Sequence, residues 1–272
     1  MVAMNQTKST LLTLLVAIAV MPFASAGQTP APAAQPAVPA APQTGAPSAG
    51  PPGFGGMGRL PVDAAAAKAP RTLSPYFVPA AAGAKAPDSD GFIQRWLLLE
   101  PIAKPIRTNA VFVGTYVKKT FAQEYFPDQF TVVPKDGESE TVNGQELKWH
   151  ALDTTNFDAK LFRFAYGLNK PTYGVIFWAV TVIESPREID NVRLAVGSNS
   201  ASMWWLNGQD VANLFDDRRM VMDDVVSKRL TLNKGRNILR GAVINGPGMS
   251  DFCVRFIDDS GKPVKETTAD VK

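Results

Sequence analysis

The chain has 272 residues but only one cysteine and one histidine. A lone cysteine, Cys253, excludes an intramolecular disulfide, and its place in the apolar run 252–257 predicts a buried, inert thiol. With His150 and Cys253 about a hundred residues apart, no zinc ligand set is in view. No G-x-S-x-G segment and no early Gly-Asp-Ser occurs, so no serine is marked as a nucleophile by its turn. Neither sign of charge dominates: 28 basic residues face 25 acidic ones, a formal net charge of +3. Without a concentrated basic stripe, nucleic acid is not an expected partner. Long hydrophobic runs are missing too. Residues 11–20 and 173–183 are each about half the length a membrane-spanning helix needs.

What is present centres on residues 194–214, LAVGSNSASMWWLNGQDVANL. This stretch reads as strand, turn, strand, Asn207-Gly208 turn, strand. Asn-Gly is the strongest short hairpin signal, because a type I′ turn needs two residues tolerant of positive φ. The pleat of the middle strand sends Trp204 and Leu206 to one face, Met203 and Trp205 to the other. Trp204 is expected in the core, anchoring the hairpin. Trp205 is expected to be partly exposed, a flat platform beside the following loop.

The two ends differ in composition from the middle. Lys8, the apolar run 11–20 and Ala24-Ser25-Ala26 form the pattern of a cleavable secretory signal peptide over residues 1–26. Cleavage after Ala26 implies a periplasmic or secreted protein. Residues 27–90 hold 13 of the chain's 22 prolines, mixed with Ala, Gly, Gln and Ser. Such a segment buries too little apolar surface to fold, and a disordered Pro/Ala-rich tether is expected.

Residues 91–264 are the expected folded domain, followed by a tail at 265–272. Strands are predicted over 91–99, 111–116, 161–166, 192–196, 225–232, 237–244 and 252–258, with another beginning at 147–150. The run 173–183, YGVIFWAVTVI, has no charge and should lie centrally, covered on both sides. A short helix is predicted within 118–129. Short strands at regular spacing, with turn signals such as Asn143-Gly144, define an all-β fold, an antiparallel β-sandwich.

Residues in the second half resemble the galactose-binding-like jelly-roll modules of polysaccharide-degrading enzymes. The family pattern runs Gly-Ser-Asp-Asp, a strand ending Trp-Leu-Asn-Gly-Lys, Leu-x-x-Gly-x-Asn, a long strand and a final Phe-x-x-Arg strand. Gly197, Ser198, Trp205, Leu206, Asn207, Gly208, Leu232, Gly235, Asn237, Phe252 and Arg255 match it. GFIQRWLLLEPI looks like the opening strand, with Glu100 and Ile102 replacing a usual Gly and Phe. The resemblance implies a jelly-roll sandwich and a carbohydrate-binding role, because such modules often travel beside a catalytic domain. Stand-alone proteins of this type are sometimes labelled acetylxylan esterases. The family's paired acids, which can hold calcium in related sandwiches, are here Asn199 and Ser200, so no metal is expected. No cofactor is expected either.

An esterase would require Ser198 or Ser200 with His150 and Asp153, yet nothing in the sequence positions a serine against that histidine. His150 reads instead as a surface residue near a strand end. Asp216-Asp217 and Asp223-Asp224 flank Arg218-Arg219, and opposite charges there favour an ordered, ion-paired loop over a glycosidase acid and base. The same residues suit sugar hydroxyls. The expected binding site is Trp205, Asp210, Arg218 and Arg219, with Trp149 next. The expected protein is a non-catalytic carbohydrate-binding module. The alternatives are a carbohydrate esterase and an interaction subunit of an envelope complex, so the partner is a polysaccharide or an envelope protein.

Overall fold

A computed structural model describes residues 71–103, 114–215, 219–245 and 248–272. The signal segment, tether residues 27–70 and Arg218 lie outside the described residues. In chain order the elements are β1 (Phe77–Pro79), β2 (Arg95–Leu99), β3 (Ile102–Ala103), α1 (Gly114–Ala122), β4 (Ser139–Val142) and β5 (Gln145–Thr154). There follow β6 (Ala159–Lys160), α2 (Leu161–Gly167), β7 (Val175–Ser185), β8 (Ile189–Ser198), β9 (Ala201–Leu206) and β10 (Gln209–Leu214). The last are β11 (Val225–Val226), β12 (Leu230–Leu232), β13 (Gly235–Asn245), β14 (Asp251–Ile257) and β15 (Thr268–Asp270). The chain is thus mostly β, with antiparallel sheets arranged as in a β-sandwich.

Two Asn-Gly turns set the hairpins. Asn143 and Gly144 take φ of 51° and 76° between β4 and β5, and Asn207 and Gly208 take 50° and 80° between β9 and β10. Consecutive positive φ is the type I′ requirement that the sequence signalled. The larger sheet runs β1-β5-β2-β7-β13-β9-β10. β7 is its axis: β13 pairs along one edge, while β15, β2 and β3 pair at successive positions. The second sheet runs β11-β8-β14-β6, with β12 also on β8. The chain therefore changes sheets at Asn199-Ser200, where Ser200 takes a φ of 55°.

Alternation along the central strands serves two cores. Phe177, Trp204, Leu206 and Val243 join Leu194, Val196, Phe252 and Val254 of the second sheet in the core between the sheets. Trp178, Val180, Met203, Trp205 and Ile244 face the other way, under Val117 and Phe121 of α1 and residues 126–133. From Val175 to Ile183 the uncharged run is buried on both faces, as its composition required.

Four expectations are corrected. Residues 161–166 form a helix, not a strand: Leu161, Phe164 and Ala165 are buried at helical spacing. Gly114–Tyr116 opens α1, because Val117 and Phe121, four apart, drive one helical face into the outer core; residues 111–113 lie outside the described residues. The tether does not extend to residue 90. Leu73, Tyr76 and Phe77 pack on the inter-sheet core, β1 pairs with β5, and Lys85 bridges to Ala269. Residues 265–272 are not a loose tail, since β15 joins β7. Among the described residues no helix is long and apolar enough to cross a membrane.

Candidate functional site

The expected binding residues are not brought together. Trp205 is only 8% exposed, stacked on Trp178 at 5.6 Å and 18° and met edge-on by Phe130 at 5.8 Å. Trp149 is wholly buried, its Nε1 donating to Glu140 at 3.1 Å and its ring met by Phe126. Both were expected at a ligand surface. The correction has one cause: α1 and residues 126–133 cover that side of the sheet, leaving neither ring a face for a ligand. Asp210 is exposed and accepts both bonds from Asn213 Nδ2, at 2.9 and 3.1 Å. It borders a cleft of about 500 Å³ between β10 and residues 225–230, which shares Gln209, Val211, Arg229 and Leu230 with an adjoining cleft of about 360 Å³. Arg219 is exposed, and Arg218 lies outside the described residues.

The catalytic alternatives fall apart on partners. His150 lies within β5 rather than at its end, with Nε2 at 3.4 Å from Glu100 Oε1 and its ring edge-on to Phe164. Burial pushes the Glu100 carboxyl up, but Lys170 at 2.7 Å, the Lys148 N–H and His150 outweigh it and hold it below the usual range. Asp153 belongs to Arg95, at 2.7 and 2.9 Å, and Lys85 at 3.5 Å. Ser198 Oγ bonds Ser202 Oγ at 2.8 Å inside the inter-sheet core, and Ser202 Oγ accepts from Trp204 Nε1 at 3.0 Å. Ser198, His150 and Asp153 thus sit in three separate bonding sets and do not assemble as a triad. Asp223 is gripped by Arg255 of β14, through Nε at 3.1 Å and through Nη2. Burial pushes the Cys253 thiol up to about 12, which makes it inert.

The positions shared with the galactose-binding-like pattern do structural work. Asn237, fully buried, accepts from Asn233 N–H at 2.9 Å and Asn207 Nδ2 at 3.0 Å, and donates to the Asn233 and Gly235 carbonyls. Asn207 Oδ1 accepts from Ile238 N–H at 2.8 Å. Two turns are thereby tied to each other. Arg255 also donates to the Asp90 carbonyl and lies 4.8 Å over Phe92, closing the loop 219–224 onto the approach to β2. Gly197 permits that loop to pass: a Cβ there would lie 2.0 Å from the Val221 carbonyl oxygen.

A different surface has the chemistry of a binding platform. Burial of Leu161, Phe164 and Ala165 rotates Phe162, Arg163 and Tyr166 of α2 outward, none of them fully buried. The Phe162 and Tyr166 ring planes are 8° apart with centroids at 6.4 Å. Tyr173, 54% exposed, continues the row at 5.7 Å from Phe162. The platform is held from below by Phe77 against Phe164 at 6.1 Å, and from the side by Asn245, whose Nδ2 donates to the Thr172 carbonyl at 2.7 Å. Residues 71–77 run along the helix, close enough that a Cβ on Gly167 would lie 2.7 Å from the Thr72 oxygen. Sequence reading missed this row because Phe162, Phe164 and Tyr166 also alternate at period two. The 161/164/165 spacing was the available signal.

No protein-family description matches the chain, and no curated protein matches it in sequence. Among solved structures it is similar to a PA14 sugar-binding domain from an RTX adhesin, at 11% identity and a TM-score of 0.31, over 64% of this chain and 96% of that one. It is also similar to the PA14 domain of an antifreeze protein, at 11% identity and 0.33, over 70% and 96% of the two chains. A third likeness is to a GH31 α-xylosidase from Xanthomonas citri, at 6% identity and 0.28, over 70% of this chain but 17% of that enzyme.

Proposed function

We propose that the chain is a non-catalytic carbohydrate-binding β-sandwich module of galactose-binding-like type, exported and carried on a Pro/Ala-rich tether. The observation that carries the reading is the row of outward aromatic rings Tyr173, Phe162 and Tyr166. Flat rings stack on the C–H faces of sugars, and a row of half-buried rings ending in the exposed Tyr173 suits a polymer better than a small molecule. The separation of His150, Ser198 and Asp153 into different bonding sets supports binding without hydrolysis. The cleft beside Asp210, lined by Gln209, Asn213 and Arg229 among apolar side chains, offers secondary contacts for the same ligand class.

Titration against a panel of polysaccharides, paired with an acetyl-ester assay, tests this. Tyr173→Ala is expected to weaken binding by about 1–3 kcal/mol while leaving the melting temperature nearly unchanged. Absence of binding to every polymer, or ester turnover lost in His150→Ala, would overturn the reading. The envelope-subunit alternative has one observation in its favour. Val221, Met222 and Val226 are 57%, 55% and 40% exposed around the loop that crosses Gly197, and substituting them with aspartate would abolish capture of an envelope partner.

A further inference from the structure

The arginines beside the aromatic row rest on rings and not on carboxylates. Arg71 places its guanidinium carbon 5.3 Å from the Tyr166 ring centroid, and Arg163 places its own 5.1 Å from that of Tyr76. Among the described residues neither makes a salt bridge, whereas Arg95, Arg187, Arg229 and Arg255 each hold a carboxylate. The nearby acids are buried and bridged by lysines: Asp158 and Asp251 share Lys160 at 2.6 and 3.1 Å, with Arg163 in electrostatic reach of Asp251 but not bridged to it, and Glu100 holds Lys170 at 2.7 Å. The surface around α2 is therefore aromatic with an outer layer of cations. A guanidinium has five N–H donors in a planar fork suited to carboxylate or sulfate oxygens, and packing on a ring limits its motion without using those donors.

We infer that the polymer recognised on this face is acidic. Sugar rings stack on Tyr173 and Phe162, while Arg71 and Arg163 take carboxylate or sulfate groups projecting from them. The inference rests on the carbohydrate-binding reading above and adds the ligand's charge to it.

Full-length protein titrated with polygalacturonate, with the same polymer fully methyl-esterified, with a sulfated galactan and with polyglutamate provides the test. Polygalacturonate or the sulfated galactan is expected to bind about tenfold more tightly than the neutral ester, and the two acidic polymers distinguish carboxylate from sulfate as the favoured group. Arg71→Gln combined with Arg163→Gln should erase that preference, whereas Tyr173→Ala should weaken acidic and neutral polymers alike. The comparison of ester with acid needs no variant, so it stands even if an arginine substitution perturbs folding. Equal affinity for acid and ester, or a preference surviving both substitutions, would overturn the inference and leave sugar binding intact. Polyglutamate binding as tightly as polygalacturonate would overturn it too, by showing charge alone at work. Failure of all sugars to bind would instead remove the carbohydrate reading itself.

Discussion

The indole of Trp204 lies across Gly241, its register partner on the adjacent strand. A Cβ on Gly241 would come within 2.4–2.6 Å of three carbons of that ring. Only a residue without a side chain lets this tryptophan lie against the sheet and reach Trp96 and Phe252 at centroid distances of 6.0 and 5.0 Å. Gly241→Ala should cost about 1–3 kcal/mol by overpacking, and Trp204→Ala about 3–5 kcal/mol by the cavity it leaves. Denaturant melts of the two single variants and the double variant check the relationship. The double should cost clearly less than the sum, because the alanine clashes only with an indole.

Trp205 should behave as a core residue as well. Its ring is sandwiched between Trp178 and the cover that includes Phe130, so Trp205→Ala is expected to cost about 3–5 kcal/mol. Acrylamide quenching of Trp205→Phe should match that of the parent, since a ring that quencher does not reach contributes no accessible emission.

Arg95 and Asp153 form a buried ion pair, 2% and 6% exposed. Burial pushes the Asp153 carboxyl up, but Arg95 and Lys85 outweigh it and hold it below the ordinary carboxylate range. Its folded pKa thus lies under its unfolded one. The pair's contribution is complete above the unfolded value, near 3.9 for a free aspartate, and is lost as pH falls through the folded value. Asp153→Asn should cost about 3–5 kcal/mol at pH 7 by stranding the buried guanidinium. The gap between parent and variant in urea melts should narrow below about pH 4.

The segment before residue 91 should prove necessary. Arg95 Nη1 donates to the Gly83 carbonyl, Lys85 and Ala269 exchange two backbone bonds at 2.7 and 2.8 Å, and Phe77 is buried. A chain beginning at Asp88 should melt well below one beginning at Arg71 in calorimetry. Equal melting temperatures would show that these contacts contribute nothing.

Much of the architecture was legible in the sequence because its signals are local. Asn143-Gly144 and Asn207-Gly208 announce turns through a backbone requirement that few residues meet, and the charge-free run around Phe177 announces a strand with no wet face. The opposite facing of Trp204 and Trp205 follows from the pleat alone. What stayed hidden depends on distant partners. Nothing near Trp205 or Trp149 reveals that residues 114–133 fold over them. Leu73, Tyr76 and Phe77 are too few among prolines and alanines to stand out as a strand and its approach. The α2 row was masked by an ambiguity of period, since LFRFAY fits a strand or a helix and only the burial of Leu161, Phe164 and Ala165 decides between them.

Burial of the larger sheet on both faces leaves its strand alignment to be chosen by shape. Sliding β9 by one residue would ordinarily be forbidden by the exposure of apolar side chains to water. Here the slide would merely exchange one tryptophan for another between two dry interiors, and hydrophobicity could not tell the two alignments apart. Discrimination falls to the hole at Gly241, which admits one indole at one position, and to the Asn207–Asn237 and Ser198–Ser202 bonds, which form in one alignment. Weakening that lock should yield a protein that stays compact and folded but populates two alignments. Doubled resonances for the indole N–H groups would be its mark, well before any loss of secondary structure.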